Sequence, residues 1–301
     1  MKTPTYLESK LSVIYFNEQK LVNRSDYEVS NNHVTIKGLN DVYLFIGDYH
    51  EHHFDLEFLE DSDIKLYIII KSSKPANYEL NLNLHKNAIL DVFTDSLNMD
   101  TTNLSITKTY DLKGYAKLNI YNALLNRGNT TIKETVNLNE EFAEVNIDVL
   151  NIGSQEDTFT VEQDVLHNAK STKSTIHNSM ISNATSSLHY SVSGRIFKGN
   201  EFSSCNQVNK GIILNEFGEI SVIPKLFIDE YNVEASHGAA IGQMDDEQLY
   251  YLLSRGLTEM QAKSLIISGY TKPFLNFIQD EDIKLMIERQ ILKKINEVDI
   301  V

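Results

Sequence analysis

The chain has 301 residues, 42 % hydrophobic and 23 % charged, a composition typical of a globular protein with a sizeable core. Its 42 acidic residues outnumber its 27 Lys and Arg and give a charge of −15, which argues against a nucleic-acid partner. The single cysteine, the absence of an apolar run of about 18 residues, and a start without a signal peptide's apolar core indicate a cytoplasmic protein with no membrane segment.

Short runs of alternating apolar and polar residues occupy the chain from about residue 10 to about residue 230. Examples are residues 80–84 (LNLNL), 145–149 (VNIDV) and 188–192 (LHYSV). Successive side chains of a β-strand point to opposite faces, so each run predicts a strand with one buried face. The runs recur without helical patterns between them, and Asn, Gly, Asp and Ser separate them, as in turns.

This alternation leaves a sandwich, a barrel and a β-solenoid open as alternatives. Asparagine is abundant beside the runs, and stacked solenoid coils accommodate such residues in hydrogen-bonded ladders. An AT-rich genome would also raise the asparagine content. The pattern has no strict repeat, so it does not choose between a solenoid and a sandwich.

From about residue 243 the apolar period becomes helical. Asp245 is a candidate N-cap for a helix over 246–254 that stops at Gly256. Thr258 and Gln261 form a candidate capping box for a second helix, which we expect to end at Gly269. Pro273 is expected to open a short third segment. Asp280 is a candidate cap of a last helix whose apolar face is Ile283, Met286, Ile287, Ile291 and Ile295.

The chain has no common nucleotide-binding, zinc-protease or paired-cysteine motif. Cys205 is a candidate thiolate or metal ligand, although a lone cysteine is more often a small apolar residue. His50 and His52 would share one face of a strand and offer two imidazoles to a metal, but we favour a solvated turn for residues 49–55 (YHEHHFD).

His237 lies in the segment 234–242 (EASHGAAIG), which we interpret as a turn between the last strand and the first helix. The small residues after it would let another backbone or subunit approach closely. A histidine there is either a ligand or a partner for the backbone of the turn.

Residues 224–270 (PKLFIDEYNVEASHGAAIGQMDDEQLYYLLSRGLTEMQAKSLIISGY) resemble the C-terminal core of the SufB/SufD family. The motifs Pro-x-Leu, Ser-His-Gly-Ala, Asp-Glu-Gln-Leu-Tyr-Tyr-Leu and Ser-Arg-Gly-Leu occur in the family's order. The resemblance extends more weakly to residues 167–178 (HNAKSTKSTIHN) and 194–214 (GRIFKGNEFSSCNQVNKGIIL). The Ser-His-Gly-Ala form is similar to the SufD branch.

The resemblance implies a right-handed parallel β-helix over residues 1–235 and a C-terminal helical region over 236–301. It also implies a scaffold without catalytic activity, in which a transient iron–sulfur cluster is held at a subunit interface and not tightly by this chain alone. The implied partners are a SufB-like subunit, paired through the β-helix, and a SufC-like ATPase bound by the C-terminal helices. The state of the chain in isolation is left open, with a homodimer as one alternative.

The family's motif carries site residues onto this sequence. The position of the SufB cysteine proposed to hold nascent cluster falls on Asn209, which has no thiolate, so the chain is expected to be the subunit without that cysteine. Cys205 lies four residues away, about 13 Å along a strand, and is not expected to replace it. His237 falls on a family histidine implicated at the SufB–SufD interface.

The segment that resembles the ATPase-docking region contributes a set of candidate contacts. They are Glu247, Leu249, Tyr250, Leu253 and Arg255. Ordinary packing against the end of the β-helix is the competing interpretation, and we favour it for Leu249 and Leu253. SufD proteins commonly begin with a helical region of about a hundred residues, whereas strand-like alternation here starts near Leu11, so we expect a minimal version.

Two other functions compete with the scaffold subunit. One is a homodimeric scaffold that works without a SufB-like partner, which an exposed β-helix edge would permit. The other is a carbohydrate-active β-helix enzyme, which needs clustered carboxylates or basic residues on one face. The sequence shows no such convergent set, and its charge of −15 would repel acidic polymers.

Overall fold

The structure is a computed structural model. It describes residues 13–17, 20–23, 28–30, 32–47, 53–72, 74–96 and 102–296. In these residues the chain forms a β-solenoid followed by three helices. The alternating runs are therefore strands, and the alternatives of a sandwich and a barrel are excluded.

The strands, in chain order, are β1 (Val13–Asn17), β2 (Lys20–Asn23), β3 (Glu28–Ser30), β4 (His33–Ile36), β5 (Leu39–Ile46), β6 (His53–Phe58), β7 (Asp63–Ile70), β8 (Ala76–Leu84), β9 (Ile89–Ser96), β10 (Thr102–Leu112), β11 (Lys117–Leu124), β12 (Gly128–Leu138), β13 (Glu144–Gly153), β14 (Thr158–His167), β15 (Lys173–Ser182), β16 (Ser187–Ile196), β17 (Ser204–Ile213), β18 (Glu219–Ile228) and β19 (Glu234–Gln243). From β5 onward, odd-numbered strands form one parallel sheet, here sheet A, and even-numbered strands form the other, sheet B. β1–β2 and β3–β4 are antiparallel pairs at the first end.

Each coil of the solenoid adds one strand to each sheet, in register with the coil before it. In sheet A this places Ile120, Ile147 and Ile176 in one row. All three side chains face inward and are at most 1 % exposed. The predicted alternation thus follows from two sheets that each turn one face toward a shared apolar interior.

Asparagine ladders run across the coils, as the solenoid interpretation expected. Asn146 donates to Asn119 Oδ1 at 2.9 Å, and Asn119 in turn donates to Asp91 at 2.7 Å. A second ladder joins Asn168 to Asn139 at 2.9 Å. In such a ladder each side-chain amide finds a hydrogen-bond partner because the neighbouring coil has a polar residue in the same row.

The helices are α1 (Asp246–Ser254), α2 (Glu259–Leu275) and α3 (Glu281–Asn296). Asp245 caps α1, Thr258 and Gln261 form the capping box of α2, and Asp280 accepts from the first backbone amides of α3. The predicted caps are confirmed. No helix in the described part of the chain combines the length and apolar character that spanning a bilayer requires.

Helix α2 is longer than predicted. It passes through Gly269, where we expected it to end, and includes Pro273, which we expected to open a separate segment. Glycine and proline weaken a helix, but burial of Ile267 and Phe274 against sheet A offsets that cost. Periodicity alone does not reveal this tertiary contribution.

Helix α3 is fastened to sheet A by polar contacts as well as by its apolar face. Lys294, fully buried, forms an ion pair with Asp157 and donates to the Asn126 carbonyl at 2.7 Å. Gln290 donates to Asp95 at 2.6 Å. These contacts join the end of the chain to its middle coils.

The outer face of sheet A also carries a ladder of stacked aromatic rings. Tyr43, Tyr67, Phe93 and Tyr121 stack at centroid distances of 4.9, 5.0 and 4.6 Å, and Phe277 stacks on Tyr121 at 4.8 Å. The helices cover much of this ladder and form a second apolar cluster with it.

The segment around His237 is not the turn that the sequence indicated. It is strand β19, which pairs with β17 along its whole length and runs across the predicted boundary at 235/236. The small residues after His237 do not end the sheet, because a parallel partner supplies the backbone hydrogen bonds that hold them extended.

Candidate functional site

The last coil of the solenoid is open. β19 and β18 are the outermost strands of sheets A and B, and each has a neighbour on one side only among the described strands. Neither strand contains a buried residue, whereas β13 and β14 bury every second side chain. An unpaired strand edge is a template for pairing with another chain.

Apolar side chains are concentrated at this open end. Ile220, Val222 and Ile241 pack with one side against the core and remain only partly buried. Ile223 and Phe227 are 55 % and 43 % exposed. The end therefore combines two free strand edges with apolar surface, a combination typical of an interface.

His237 stands at the mouth of the solenoid interior. Its register partner is Gln207, whose own partner in the preceding coil is the core residue Ile176. His237 therefore occupies an inward-facing position of its strand, yet it is exposed because no described coil follows. An imidazole in this position is available to a group brought by a partner.

Asn209 is buried beside this histidine and fixes the edge strand. Its Nδ2 donates to the Gly238 carbonyl at 3.1 Å, and its Oδ1 accepts from Asn178 at 2.8 Å. The amide therefore satisfies the backbone next to His237. A carboxamide in these contacts is a structural group and not a ligand for a soft metal.

Cys205 is a buried interior residue. It is 0 % exposed, and a Cβ added at Gly194 would lie 2.2 Å from its Sγ, so the sulfur fills the space that this glycine leaves. Burial raises the pKa of the thiol, against smaller opposing effects of hydrogen bonds to Ser174 and Gln207. Both features favour a neutral, poorly reactive thiol.

These residues do not form a metal site by themselves. Cys205, Gln207 and Asn209 share the inner face of β17, with His237 on the neighbouring strand. Within the residues that the structure describes, no three His, Cys, Asp or Glu side chains are grouped to hold a metal ion.

The solenoid interior contains a cluster of buried polar side chains that the sequence analysis did not predict. Lys108 and Glu134 form a buried ion pair with 3.3 Å between Nζ and Oε1, and Asn122 accepts from Lys108 at 2.6 Å. The signal was present, because both charged residues occupy inward positions of otherwise apolar alternation. Further along the interior, Gln163 accepts from Asn178 at 2.9 Å.

Helix α1 presents a second candidate surface, because none of its residues is buried. Tyr250 is 75 % and Leu253 is 38 % exposed, Glu247 and Arg255 are exposed, and Leu249 is half-buried. The Arg255 guanidinium lies 5.1 Å from the ring centroid of Tyr251. Helix α1 lies against α2, and the apolar side chain of Leu253 is left in solvent.

The histidine cluster near residue 50 is only partly described. His50 and His52 lie outside the described residues. His53 is exposed at the start of β6, with its ring nitrogens 3.1 Å from Asp55 and 3.3 Å from Glu79. These carboxylates explain its position as a surface ion-pair residue.

Most of the chain matches a known protein family. Residues 51–270 match the family model described as SUF system FeS cluster assembly, SufBD core domain. The match covers the solenoid from β6 through the open end and continues into α2. It therefore includes Asn209, His237 and all of α1.

Individual relatives match over shorter stretches. The chain is 29 % identical to the iron–sulfur cluster assembly protein SufD of Bacillus subtilis (strain 168) over 174 residues, 57 % of this chain and 39 % of the relative. It is 33 % identical to SufD of Escherichia coli (strain K12) over 89 residues, 30 % of this chain and 20 % of that protein. A SufBD family protein of Archaeoglobus fulgidus is 48 % identical over 61 residues, 20 % of this chain and 16 % of the relative. The chain thus spans 39 % or less of the length of these three relatives.

Proposed function

The chain belongs to the SufBD family, and from this premise we propose that it is a SufD-like scaffold subunit for iron–sulfur cluster assembly. The cluster is its cargo, held transiently at a subunit interface. The chain itself carries out no catalytic step, and ATP hydrolysis takes place in a partner. Its relatives SufD of Bacillus subtilis and of Escherichia coli are named as assembly proteins, which supports this role.

The observation that carries the proposal is the open end formed by β18 and β19. Two ten-residue strand edges and partly buried apolar side chains fit the matching end of a second β-helix, which would continue both sheets. Pairing would bury the inward-facing Ile220 and Val222, cover the interior of the last coil, and partly cover the outward-facing Ile223 and Phe227. The partner we propose is a SufB-like subunit, and a second copy of this chain is the alternative.

At that junction His237 is the proposed cluster ligand. Neutral imidazole binds iron, and histidine replaces thiolate in some iron–sulfur sites. Because Asn209 and Cys205 offer no exposed thiolate, the partner subunit would supply the sulfur ligands. This division explains why a single histidine at the mouth of the solenoid suffices on this side.

Helix α1 is the proposed docking surface for a SufC-like ATPase. Its exposed Tyr250 and Arg255 belong to residue types that are enriched where proteins bind one another, and the exposed Leu253 adds apolar surface to the helix. α1 directly follows β19 in the chain, so movement of a protein bound to α1 would pull on the strand that carries His237.

The test is reconstitution with SufB-like and SufC-like proteins of the same organism, followed by size-exclusion chromatography with light scattering. We expect a complex in which Ile223→Asp weakens pairing with the SufB-like subunit, because its carboxylate would be partly covered at the strand edge, while Tyr250→Ala weakens binding of the ATPase only. Phe142→Asp, an equally drastic change of an exposed residue in a middle coil, is the matched control and should assemble normally. Absence of any complex at micromolar concentrations would overturn the scaffold proposal.

The role of His237 needs a separate measurement. We expect His237→Ala to assemble normally but to retain less reconstituted cluster, measured by iron and sulfide content and visible absorbance. His189→Ala, a half-buried histidine of sheet B, is the control. Equal cluster retention in both variants would exclude His237 as a ligand.

A further inference from the structure

A groove of about 860 Å³ lies between the helices and the outer face of sheet A, away from the inward-facing His237. Its floor is formed by β13, β15 and β17, and its walls by α1 and α2. This groove is separate from the two surfaces assigned above, although α1 contributes Leu252 to one wall.

The floor of the groove carries cationic groups. His177 Nδ1 lies 3.3 Å from Asp148 Oδ1, and Lys210 lies on the strand next to His177. The hydrogen bond to Asp148 raises the pKa of His177, and nearby Lys210 opposes that rise. With His177 protonated, these three side chains sum to one net positive charge, in a protein whose overall charge is −15.

The walls are mostly apolar, and Gly269 in the α2 wall leaves space next to the groove. Tyr270 and Phe277 line the groove together with Leu252. Gly269 sits inside helix α2, where glycine costs about 1 kcal/mol relative to alanine. A Cβ placed on Gly269 would meet no atom within 4 Å, so close packing does not require glycine there. A larger side chain at this position would project into the groove.

We propose that this groove binds an amphipathic organic anion, whose acidic group pairs with Lys210 and His177 and whose flat apolar body lies against Tyr270 and Phe277. Charge complementarity selects the acidic group, since Lys210 and a protonated His177 together outweigh the Asp148 carboxylate in the lining. The volume suits a small molecule, because ligand sites commonly measure about 300–1,000 Å³.

The test is fluorescence titration with two dyes that share one ring system. 1-Anilinonaphthalene-8-sulfonate carries an anionic group, and N-phenyl-1-naphthylamine lacks it. We expect one molecule of the sulfonate to bind per chain, about tenfold more tightly than the neutral dye, as an ion pair on an apolar surface provides. Lys210→Met should remove this difference, whereas Lys117→Met, an exposed lysine elsewhere on sheet A, should not.

Gly269→Trp should fill the groove and weaken binding of both dyes at least about tenfold. Gly269→Leu, which suits a helix better, serves if the tryptophan variant does not fold, and circular dichroism checks both. Unchanged binding of the sulfonate in a folded Gly269 variant would place the dye elsewhere and overturn the proposal. Equal affinity of the two dyes for the unaltered protein would overturn the anionic class.

Discussion

The middle coils of the solenoid and its last coil are built from the same alternating pattern and differ in what covers them. Val161 in β14 is 2 % exposed, whereas Val222, two coils along the same row, is only half-buried. α3 closes the outer face of the middle coils with the buried pair Lys294–Asp157. α1, which follows the last coil, buries no side chain.

This difference shows that burial, and with it stability, is divided unevenly along the solenoid. In a stacked architecture each coil is stabilised by its neighbours, so a coil with one neighbour keeps unsatisfied edges and apolar surface. The middle coils hold the fold together, and the last coil is where we propose that a partner binds. Substitutions in the two regions should therefore act on different measurements.

The largest expected effect comes from breaking the contact that fastens α3 to the middle coils. Lys294→Met keeps much of the side-chain volume but leaves the Asp157 carboxylate buried without its cation. We expect the free energy of unfolding to fall by about 3–5 kcal/mol, measured by urea denaturation. Lys293→Met, an exposed neighbour in the same helix turn, should change it little. Similar losses in the two variants would show that the buried pair contributes nothing special.

The middle coils should also set the dependence of stability on acid. Burial lowers the pKa of His167 from 6.5 to about 4, so between these values the unfolded chain takes up a proton that the folded chain does not. Stability should fall by about 3 kcal/mol as pH drops through this window. His167→Asn should remove that loss, measured as the difference between unfolding curves of variant and parent at each pH. If the unfolding free energies of His167→Asn and the parent change in parallel with pH, the prediction is contradicted.

Asp95 should act in the opposite direction over an overlapping range. Burial raises its pKa from 3.8 to about 7, although the Gln290 hydrogen bond opposes this, so the folded chain keeps a proton that the unfolded chain loses. Its contribution to stability therefore decreases as pH rises from about 4 to 7. Asp95→Asn should remove this decrease, so that the variant gains stability relative to the parent as pH rises. If Asp95→Asn instead gains stability relative to the parent as pH falls, Asp95 is ionised in the folded state.

The smallest expected effect comes from the same substitution, valine to alanine, made once in a middle coil and once in the last coil. Val161→Ala should cost about 2 kcal/mol of unfolding free energy, because it removes two buried carbon atoms and leaves a cavity. Val222→Ala should cost less than half as much in the isolated chain. With a SufB-like partner bound, the difference between the two losses of unfolding free energy should become smaller, since the interface would bury Val222. Equal costs in the isolated chain would mean that the last coil is already covered.

Much of the fold was predictable because its signals are local. Alternation located the strands, and the caps at Asp245, Thr258 and Asp280 located the helix starts, since both depend on neighbouring residues. Parallel stacking was not decided by alternation, which is the same in a sandwich, and the family resemblance was needed. The end of α2 was missed because the burial that carries it past Gly269 comes from sheet A.

The candidate site was predictable in its residues but not in its geometry. His237 and Asn209 were singled out through the family motif, and their roles in cluster binding remain predictions. The sequence did not reveal that His237 faces the solenoid interior, because the small residues around it read as a turn. The groove at Gly269 was invisible for a similar reason, since its floor and walls come from strands and helices far apart in sequence.

The contacts of α3 also bear on how the chain is made. Gln290 and Lys294 bind Asp95 and Asp157, residues 195 and 137 positions earlier. During synthesis the coils can stack one after another, but Tyr43, Tyr67 and Phe93 on the outside of sheet A stay uncovered until the last helix leaves the ribosome. Long-range closure of this kind slows folding and leaves partly made chains prone to aggregation. A chain that stopped before residue 281, where α3 begins, would therefore keep strands β1–β19 but leave much of its aromatic ladder in water, a ready substrate for chaperones and proteases.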